Sequence, residues 1–235
     1  MSRRRPRRVF LAGLALLLAA AGPAPESGGA EVRTADYVFS YRWPAAVEAV
    51  PDLRSRLMKD QEAIRRAFAE EAGQARQAAA ADPGRPFLPY ELSVEWKVAA
   101  DLPAWLSLSQ SLSVFEGGAH PNTGFDSLVW DRRAGVERPP LDLFTSPEAL
   151  DAAIRAPFCD ALDRASGDGF DACIRPSGQA VVLGSSDRKR FTRIGILVAP
   201  YAAGPYVEGS YDVTVPVTPA VLQAVKPEFR AAFGP

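Results

Sequence analysis

The chain has 235 residues, of which 47% are hydrophobic and 23% are charged, with 27 Lys and Arg against 28 Asp and Glu. These proportions are ordinary for a globular protein and argue against a disordered one. The single His excludes any site built from two or more histidines, which removes the His-rich zinc hydrolases from consideration.

The N-terminus has the pattern of an export signal. Five arginines and no acidic residue lie in residues 1–8, and residues 9–21 carry no charge. A helix of that uncharged length spans about 20 Å, which is short of the ~30 Å hydrocarbon core of a membrane. The small side chains of Ala19 and Ala21 fit cleavage after Ala21. We therefore expect a signal peptide over residues 1–21.

The signal peptide predicts a periplasmic or secreted protein. Arg7 and Arg8 resemble the twin-arginine export consensus, although Pro6 and Ala12 depart from it, so general secretion is the alternative. We expect a flexible tether over residues 22–34, because its first part is rich in Gly and Pro.

Removal of the signal makes the protein acidic. Because five of the 27 basic residues lie in the signal, 22 remain against 28 acidic ones, a net charge of −6. That charge argues against nucleic acid or anionic lipid as a partner and suits a cationic partner.

Hydrophobic periodicity then predicts an ordered series of elements. In chain order these are a strand over 35–41, a helix over 51–81, strands over 91–98, 106–114 and 123–130, a helix over 147–165, strands over 180–183, 191–198 and 210–215, and a helix over 218–233. The order indicates an α+β fold with a mainly antiparallel sheet, a long N-terminal helix, a middle helix and a C-terminal helix.

The strand over 106–114 has two different faces. Leucines and a valine alternate there with Ser107, Ser109, Ser111 and Ser113. Alternation of this kind predicts one buried face and one wet face lined by serines.

Two cysteines, Cys159 and Cys173, lie 14 positions apart. In an oxidising compartment a disulfide is the expected state, although two separate buried thiols are the alternative. A metal site is not expected, because neither His nor further Cys lies near them, and we expect no cofactor.

A tight corner follows the serine-rich strand. Gly117 and Gly118 would let the chain turn through positive φ values, and Pro121 would stiffen the exit. His120 would either fix this turn through a hydrogen bond or face a ligand together with Asn122. A catalytic role would need a nucleophile beside the ring, and no Gly-x-Ser-x-Gly elbow exists in the sequence.

Tyrosines cluster near the end of the chain. Tyr201, Tyr206 and Tyr211 are interspersed with Gly204 and Gly209. Aromatic side chains on a glycine-hinged loop suit stacking on a sugar or anchoring a protein, and core packing at strand ends is the alternative. We take Tyr201 and Tyr206 as candidate binding residues and Gly204 as a turn residue.

Three segments resemble a family of bacterial extracytoplasmic domains with a PdaC-type N-terminal region and an RsiV-type C-terminal region. They are Gly-Gly-Ala-His-Pro-Asn over 117–122, Leu-Asp-Leu-Phe over 141–144 with the order of its Leu and Asp shifted, and Pro-Tyr-Ala-Ala-Gly over 200–204. The resemblance implies a PdaC-like region over 35–134 and an RsiV-like region over 135–235.

The resemblance also implies a role. Some members precede a deacetylase module, which we do not expect here because its metal site takes two histidines and this sequence has one. Others form the outer part of an anti-sigma factor that binds lysozyme. We therefore expect a monomeric envelope protein that binds a protein such as a lysozyme, or a peptidoglycan-type glycan, without catalysis. The alternative is an envelope hydrolase acting on peptidoglycan or an ester.

Overall fold

The computed structural model describes residues 27–82, 84, 86–166 and 173–235. The predicted signal peptide and the first part of the predicted tether lie outside these residues. Within them, no helix combines the length and the apolar character needed to cross a membrane.

Nine strands and four α-helices form the described part of the chain. The strands are β1 Gly28–Arg33, β2 Tyr37–Trp43, β3 Tyr90–Asp101, β4 Trp105–Phe115, β5 Asn122–Asp131, β6 Val136–Arg138, β7 Ala180–Gly184, β8 Arg193–Val198 and β9 Tyr211–Pro216. The helices are α1 Ala45–Glu48, α2 Pro51–Ala80, α3 Pro147–Ala165 and α4 Pro219–Ala224. The predicted α+β class is confirmed.

Two sheets organise the molecule. The first has the order β1-β2-β3-β4-β5-β6 and the second has the order β7-β8-β9. All neighbouring pairs are antiparallel except β2 and β3, which are parallel because α2 crosses over between them.

Helix α2 covers one face of the first sheet. Pro51 occupies its first turn, where a missing N–H costs nothing. Leu53, Leu57, Phe68 and Ala72 form its buried stripe. This stripe packs on the aromatic side chains of β2 and on the apolar residues of β3 and β4 to make the first core.

Helices α3 and α4 and the second sheet form the second core. Ser146 caps α3 by accepting a hydrogen bond from the N–H of Ala149 at 3.1 Å, as the Ser-Pro pair predicts. Ala100 and Val129 belong to the first sheet, and Leu102 lies in the turn between β3 and β4, but all three lie in the second core. The two cores therefore share the first sheet as a common wall.

The serine-lined face of the first sheet is only partly wet. Ser107 is fully buried, because β7 packs over that end of the face. The hydroxyl of Ser127 donates to the carbonyl oxygen of Val181 in β7 at 2.6 Å. The predicted wet face is thus wrong at the Ser107 end, while Ser109, Ser111 and Ser113 are partly exposed.

The predicted tether is wrong over its second half, because Gly28–Arg33 form strand β1. Gly28 and Gly29 fit against β2 because they have no side chains. A Cβ on Gly28 would lie 2.2 Å from the indole nitrogen of Trp43, and one on Gly29 would lie 2.0 Å from the carbonyl oxygen of Tyr41. Gly29 also has a φ of 137°, which favours glycine.

The predicted C-terminal helix is interrupted. It begins as expected, since Thr218 caps the N–H of Val221, but it ends at Ala224. Pro227 forces the preceding Lys226 into an extended conformation, with a ψ of 140°, and a 3-10 helix follows over Pro227–Ala232.

Candidate functional site

The hairpin between β4 and β5 meets the loop between β8 and β9, residues 199–210. At this meeting point the His120 ring stacks on Tyr206, with ring centroids 3.7 Å apart and planes 19° apart. Tyr201 lies against both, with its ring centroid 6.3 Å from that of His120 and 5.4 Å from that of Tyr206. We call His120, Tyr201 and Tyr206 the aromatic corner. The structure therefore brings three of the four predicted binding residues together.

Hydrogen bonds fix the orientation of these rings. The carbonyl oxygen of Pro121 accepts from the Tyr206 hydroxyl at 2.7 Å and lies 3.0 Å from Nδ1 of His120. The Tyr201 hydroxyl lies 3.4 Å from Nε2 of the same His. The Pro121 carbonyl oxygen can only accept, so Nδ1 of His120 is the donor in that contact, whereas Nε2 and the Tyr201 hydroxyl can each play either role.

The loop that carries the two tyrosines is anchored at its base. The Tyr211 hydroxyl donates to the Glu208 carboxylate, and this bond, followed by burial, raises the pKa of Tyr211 to about 12. Gly204 lies against this pair, since a Cβ there would be 2.7 Å from Oε2 of Glu208 and 2.8 Å from the Tyr211 oxygen. Glycine is needed at position 204 because the Glu208 and Tyr211 side chains lie close to its backbone, and not because of a positive φ.

The tip of this loop presents large side chains to solvent. Tyr201 is 63% exposed and Val207 is 89% exposed. Tyr201 has a φ of 69°, a left-handed conformation that is uncommon for a residue other than glycine. A strained conformation of this kind persists only where the surrounding structure holds it, and such residues cluster at functional sites.

The predicted corner residues differ in their backbone roles. Gly117 has a φ of 77°, as expected, but Gly118 has no positive φ, so one glycine suffices for the turn. Pro121 supplies the carbonyl that both His120 and Tyr206 contact. Asn122 is exposed at the start of β5, where it pairs with Val114.

A groove of about 400 Å³ adjoins the aromatic corner through Pro121. We call it the serine groove. It is lined by Val38, Ser40, Glu91, Leu92, Ser93, Ser113, Phe115 and Pro121. Sequence reasoning missed it, because the parallel pairing that places Ser40 beside Ser93 joins residues separated by the whole of α2. The only sequence signal was the alternation of serines along the strands.

Neither cysteine lines the serine groove. Cys159 and Cys173 form the predicted disulfide, with Cα atoms 5.6 Å apart. Part of the loop between them, residues 167–172, lies outside the described residues. Over the described ranges, no group of three or more His, Cys, Asp or Glu side chains is arranged to hold a metal ion.

Comparisons with known proteins agree with the N-terminal part of the resemblance. A family model described as "Deacetylase PdaC" matches residues 31–123, which include β2 to β4 and the His120 hairpin. No curated protein matches the chain. The RsiV-type assignment of the C-terminal region stays a prediction.

Solved structures resemble the fold over most of the chain. A DUF3298 family protein from Pseudomonas aeruginosa PAO1 is 16% identical with a TM-score of 0.53, and covers 89% of this chain and 96% of its own. A DUF3298 family member from Bacteroides fragilis NCTC 9343 is 13% identical with a TM-score of 0.54, and covers 81% of this chain and 89% of its own. At these identities the likeness concerns the fold alone.

Proposed function

We propose that this chain is an exported envelope protein that captures a cationic protein, such as a lysozyme, noncovalently through the loop over residues 199–210, which we call the capture loop. The observation that carries this proposal is Tyr201. Its aromatic side chain is exposed, its backbone is left-handed, and its ring packs against His120 and Tyr206. Exposed, pre-organised tyrosines are typical anchors of protein interfaces, since little conformational entropy is lost on binding.

Charge supports a basic partner. The protein without its signal has a net charge of −6, which would steer a cationic protein toward it at low ionic strength. The resemblance to domains of a lysozyme-binding anti-sigma factor points to the same class of partner. Val207 extends the apolar contact area beyond Tyr201.

The test is surface plasmon resonance with lysozyme as the probe at low salt. Tyr201→Ala should weaken binding at least tenfold, because a central aromatic anchor typically contributes about 2 kcal/mol or more. Gly204→Ala should also weaken it, because the new methyl group displaces the Glu208–Tyr211 pair. Gly124→Ala is the matched control, since nothing lies within 4 Å of a Cβ there. Acetylated lysozyme, which has lost its lysine charges, should bind less tightly.

Two results would overturn this proposal. One is the absence of binding to lysozyme at low salt by the folded protein. The other is binding that Tyr201→Ala and Gly204→Ala leave at the level of Gly124→Ala.

A peptidoglycan-type glycan is the second candidate ligand, and the serine groove is what favours it. Hydroxyl groups of Ser40, Ser93 and Ser113 lie there beside an aromatic corner, a combination that suits hydrogen bonding and stacking with a sugar. Purified glycan fragments should then bind to the protein. Ser93→Trp should block that binding without affecting the binding of lysozyme. Fragments that bind Ser93→Trp as tightly as the original protein would exclude this groove.

A hydrolytic role is the remaining alternative. Both ring nitrogens of His120 already have partners, Pro121 and Tyr201, which supports a positioning role over proton transfer to a substrate. Turnover of peptidoglycan or an ester that is lost in His120→Ala would favour catalysis instead.

A further inference from the structure

The two sheets enclose another groove, of about 330 Å³, which shares no lining residue with the aromatic corner. Its floor is the exposed face of the second sheet, where Arg193, Gly195 and Leu197 follow one another along β8. They share this face because side chains alternate along a strand. Its other wall comes from Lys97–Ala99 of β3 and from Ser109. We call it the β8 groove.

The middle of the floor carries no side chain. Gly195 lies between Val182 on β7 and Thr214 on β9, and a Cβ on it would lie 3.4 Å from that of Val182. Space above the β8 backbone is therefore left open in the centre of the groove. The walls are fixed, because the Ser127 hydroxyl holds the Val181 carbonyl of β7 at 2.6 Å.

The two ends of the groove carry opposite charges. Arg193 begins β8, and Asp212 pairs with Leu197 at its other end. Arg193 and Leu197 are four positions apart, which corresponds to about 13 Å along a strand. Both charged side chains are exposed, and neither forms an ion pair with another described residue. The remaining cation of the groove, Lys97, is paired with Glu95 at 3.0 Å.

We propose that the β8 groove binds a short extended peptide of about four residues, with its free carboxylate at Arg193 and its free ammonium group at Asp212. An extended chain of four residues spans about 13–14 Å, which matches the separation of the two charges. An Arg guanidinium suits a carboxylate, because its fork can donate two parallel hydrogen bonds.

The rest of the groove fits the same ligand. Its volume lies at the lower end of the ~300–1,000 Å³ range of small-ligand sites, which favours small side chains. Val98, which is 41% exposed, and Leu197 offer apolar contacts to them. This binding would be independent of the capture loop, because the two sites share no lining residue.

The experiment measures binding of tetra-alanine to the exported protein by calorimetry and by chemical-shift changes. The C-terminal amide should bind at least tenfold more weakly than the free acid, and Arg193→Gln should remove that difference. Asp212→Asn should weaken binding of the peptide with a free amino group but not binding of the N-acetylated peptide. Gly195→Val should weaken every form, because its side chain fills the floor.

Two controls separate this site from other effects. Arg188→Gln neutralises an exposed cation on the same β7–β8 connection but outside the groove, and should bind tetra-alanine normally. Tyr201→Ala should also bind normally, so that failure of the capture loop leaves this result intact. Equal binding of acid and amide, an equal loss in Arg188→Gln and Arg193→Gln, or no binding by the folded protein at millimolar peptide would each overturn the proposal.

Discussion

Tyr211 shows how a single side chain holds the capture loop. Its hydroxyl donates to Glu208, while its ring is buried in the second core. The hydrogen bond to Glu208 holds the proton on the hydroxyl, and this bond, followed by burial and by repulsion from the Glu208 charge, raises the pKa of Tyr211 to about 12. The loop between Tyr201 and Tyr211 is thus closed by a bond that only neutral tyrosine can make.

This bond predicts a pH dependence of stability. The unfolded tyrosine has a pKa of about 10, so the contribution of Tyr211 is fully present below pH ~10 and is lost as the pH rises through about 12. Between pH 9 and pH 12 the free energy of unfolding, measured with urea, should therefore fall more steeply with pH in the original protein than in Tyr211→Phe.

Glu208→Gln provides the matched comparison, because it keeps the shape of the acceptor and removes its charge. It should flatten the same part of the pH profile. If both variants follow the profile of the original protein, the Glu208–Tyr211 bond does not contribute to stability.

At the scale of elements, the disulfide joins α3 to the chain that follows it. Cys159 lies in α3, and Cys173 precedes a segment that is also held by Asp151, which accepts from the N–H and the hydroxyl of Ser177, both at 2.7 Å. The disulfide and Asp151 therefore attach this segment to two successive parts of the same helix.

Reduction of the disulfide should lower the melting temperature. Closing a loop of about 15 residues is worth ~3 kcal/mol, and each kcal/mol shifts Tm by about 2–4 °C in a domain of this size, so we expect roughly 6–12 °C. Calorimetry with and without reductant measures it, and Cys159→Ser with Cys173→Ser should reproduce the reduced value. An unchanged Tm in the double variant would show that the disulfide does not add to the polar contacts that hold the segment on α3, among them those of Asp151 and Arg155.

The sequence predicted an element best where local side-chain patterns determine its bounds. The bounds of α2 and α3 agree with the structure within one residue, because their apolar stripes and their starting prolines are local signals. Strand β1 was missed because only Ala30–Arg33 alternate in it, which is a short signal, and its first two residues are glycines that fit by close backbone approach. The break before Pro227 did have a local signal, the proline itself.

The candidate site follows the same division. His120 and Tyr201 could be chosen from their glycine-rich surroundings, but their contact could not, because 81 positions separate them. The two grooves depend on which strands become neighbours and how the sheets pack. These are properties of the whole chain, and a local pattern does not contain them.

At the scale of the molecule, Trp105 extends from the first sheet into the second core. It begins β4 of the first sheet and packs on Phe191 and Phe229 of the C-terminal half, with ring centroids 6.1 and 5.9 Å away. Val129 is fully buried in the second core although it belongs to the first sheet. Unfolding of one half would therefore expose apolar surface of the other.

We expect the original protein to unfold in a single thermal transition. Trp105→Ala should lower its stability by about 2–3 kcal/mol, somewhat less than the 3–5 kcal/mol of a fully buried Trp, because Trp105 is only partly buried. It should also separate the transitions seen by near-ultraviolet and far-ultraviolet circular dichroism. Val136→Ala, at an exposed position, is the control. Two transitions in the original protein would contradict this coupling.

The order of strands in the first sheet, β1 to β6, is also their order along the chain. A growing or translocating chain appears from its N-terminus, at about 5–20 residues per second during synthesis. Each new strand therefore finds its partner already in place, and no strand has to insert between two that have paired. The six-stranded sheet can be assembled vectorially, by addition at one edge, before the cysteines and the second sheet emerge to cover its serine face.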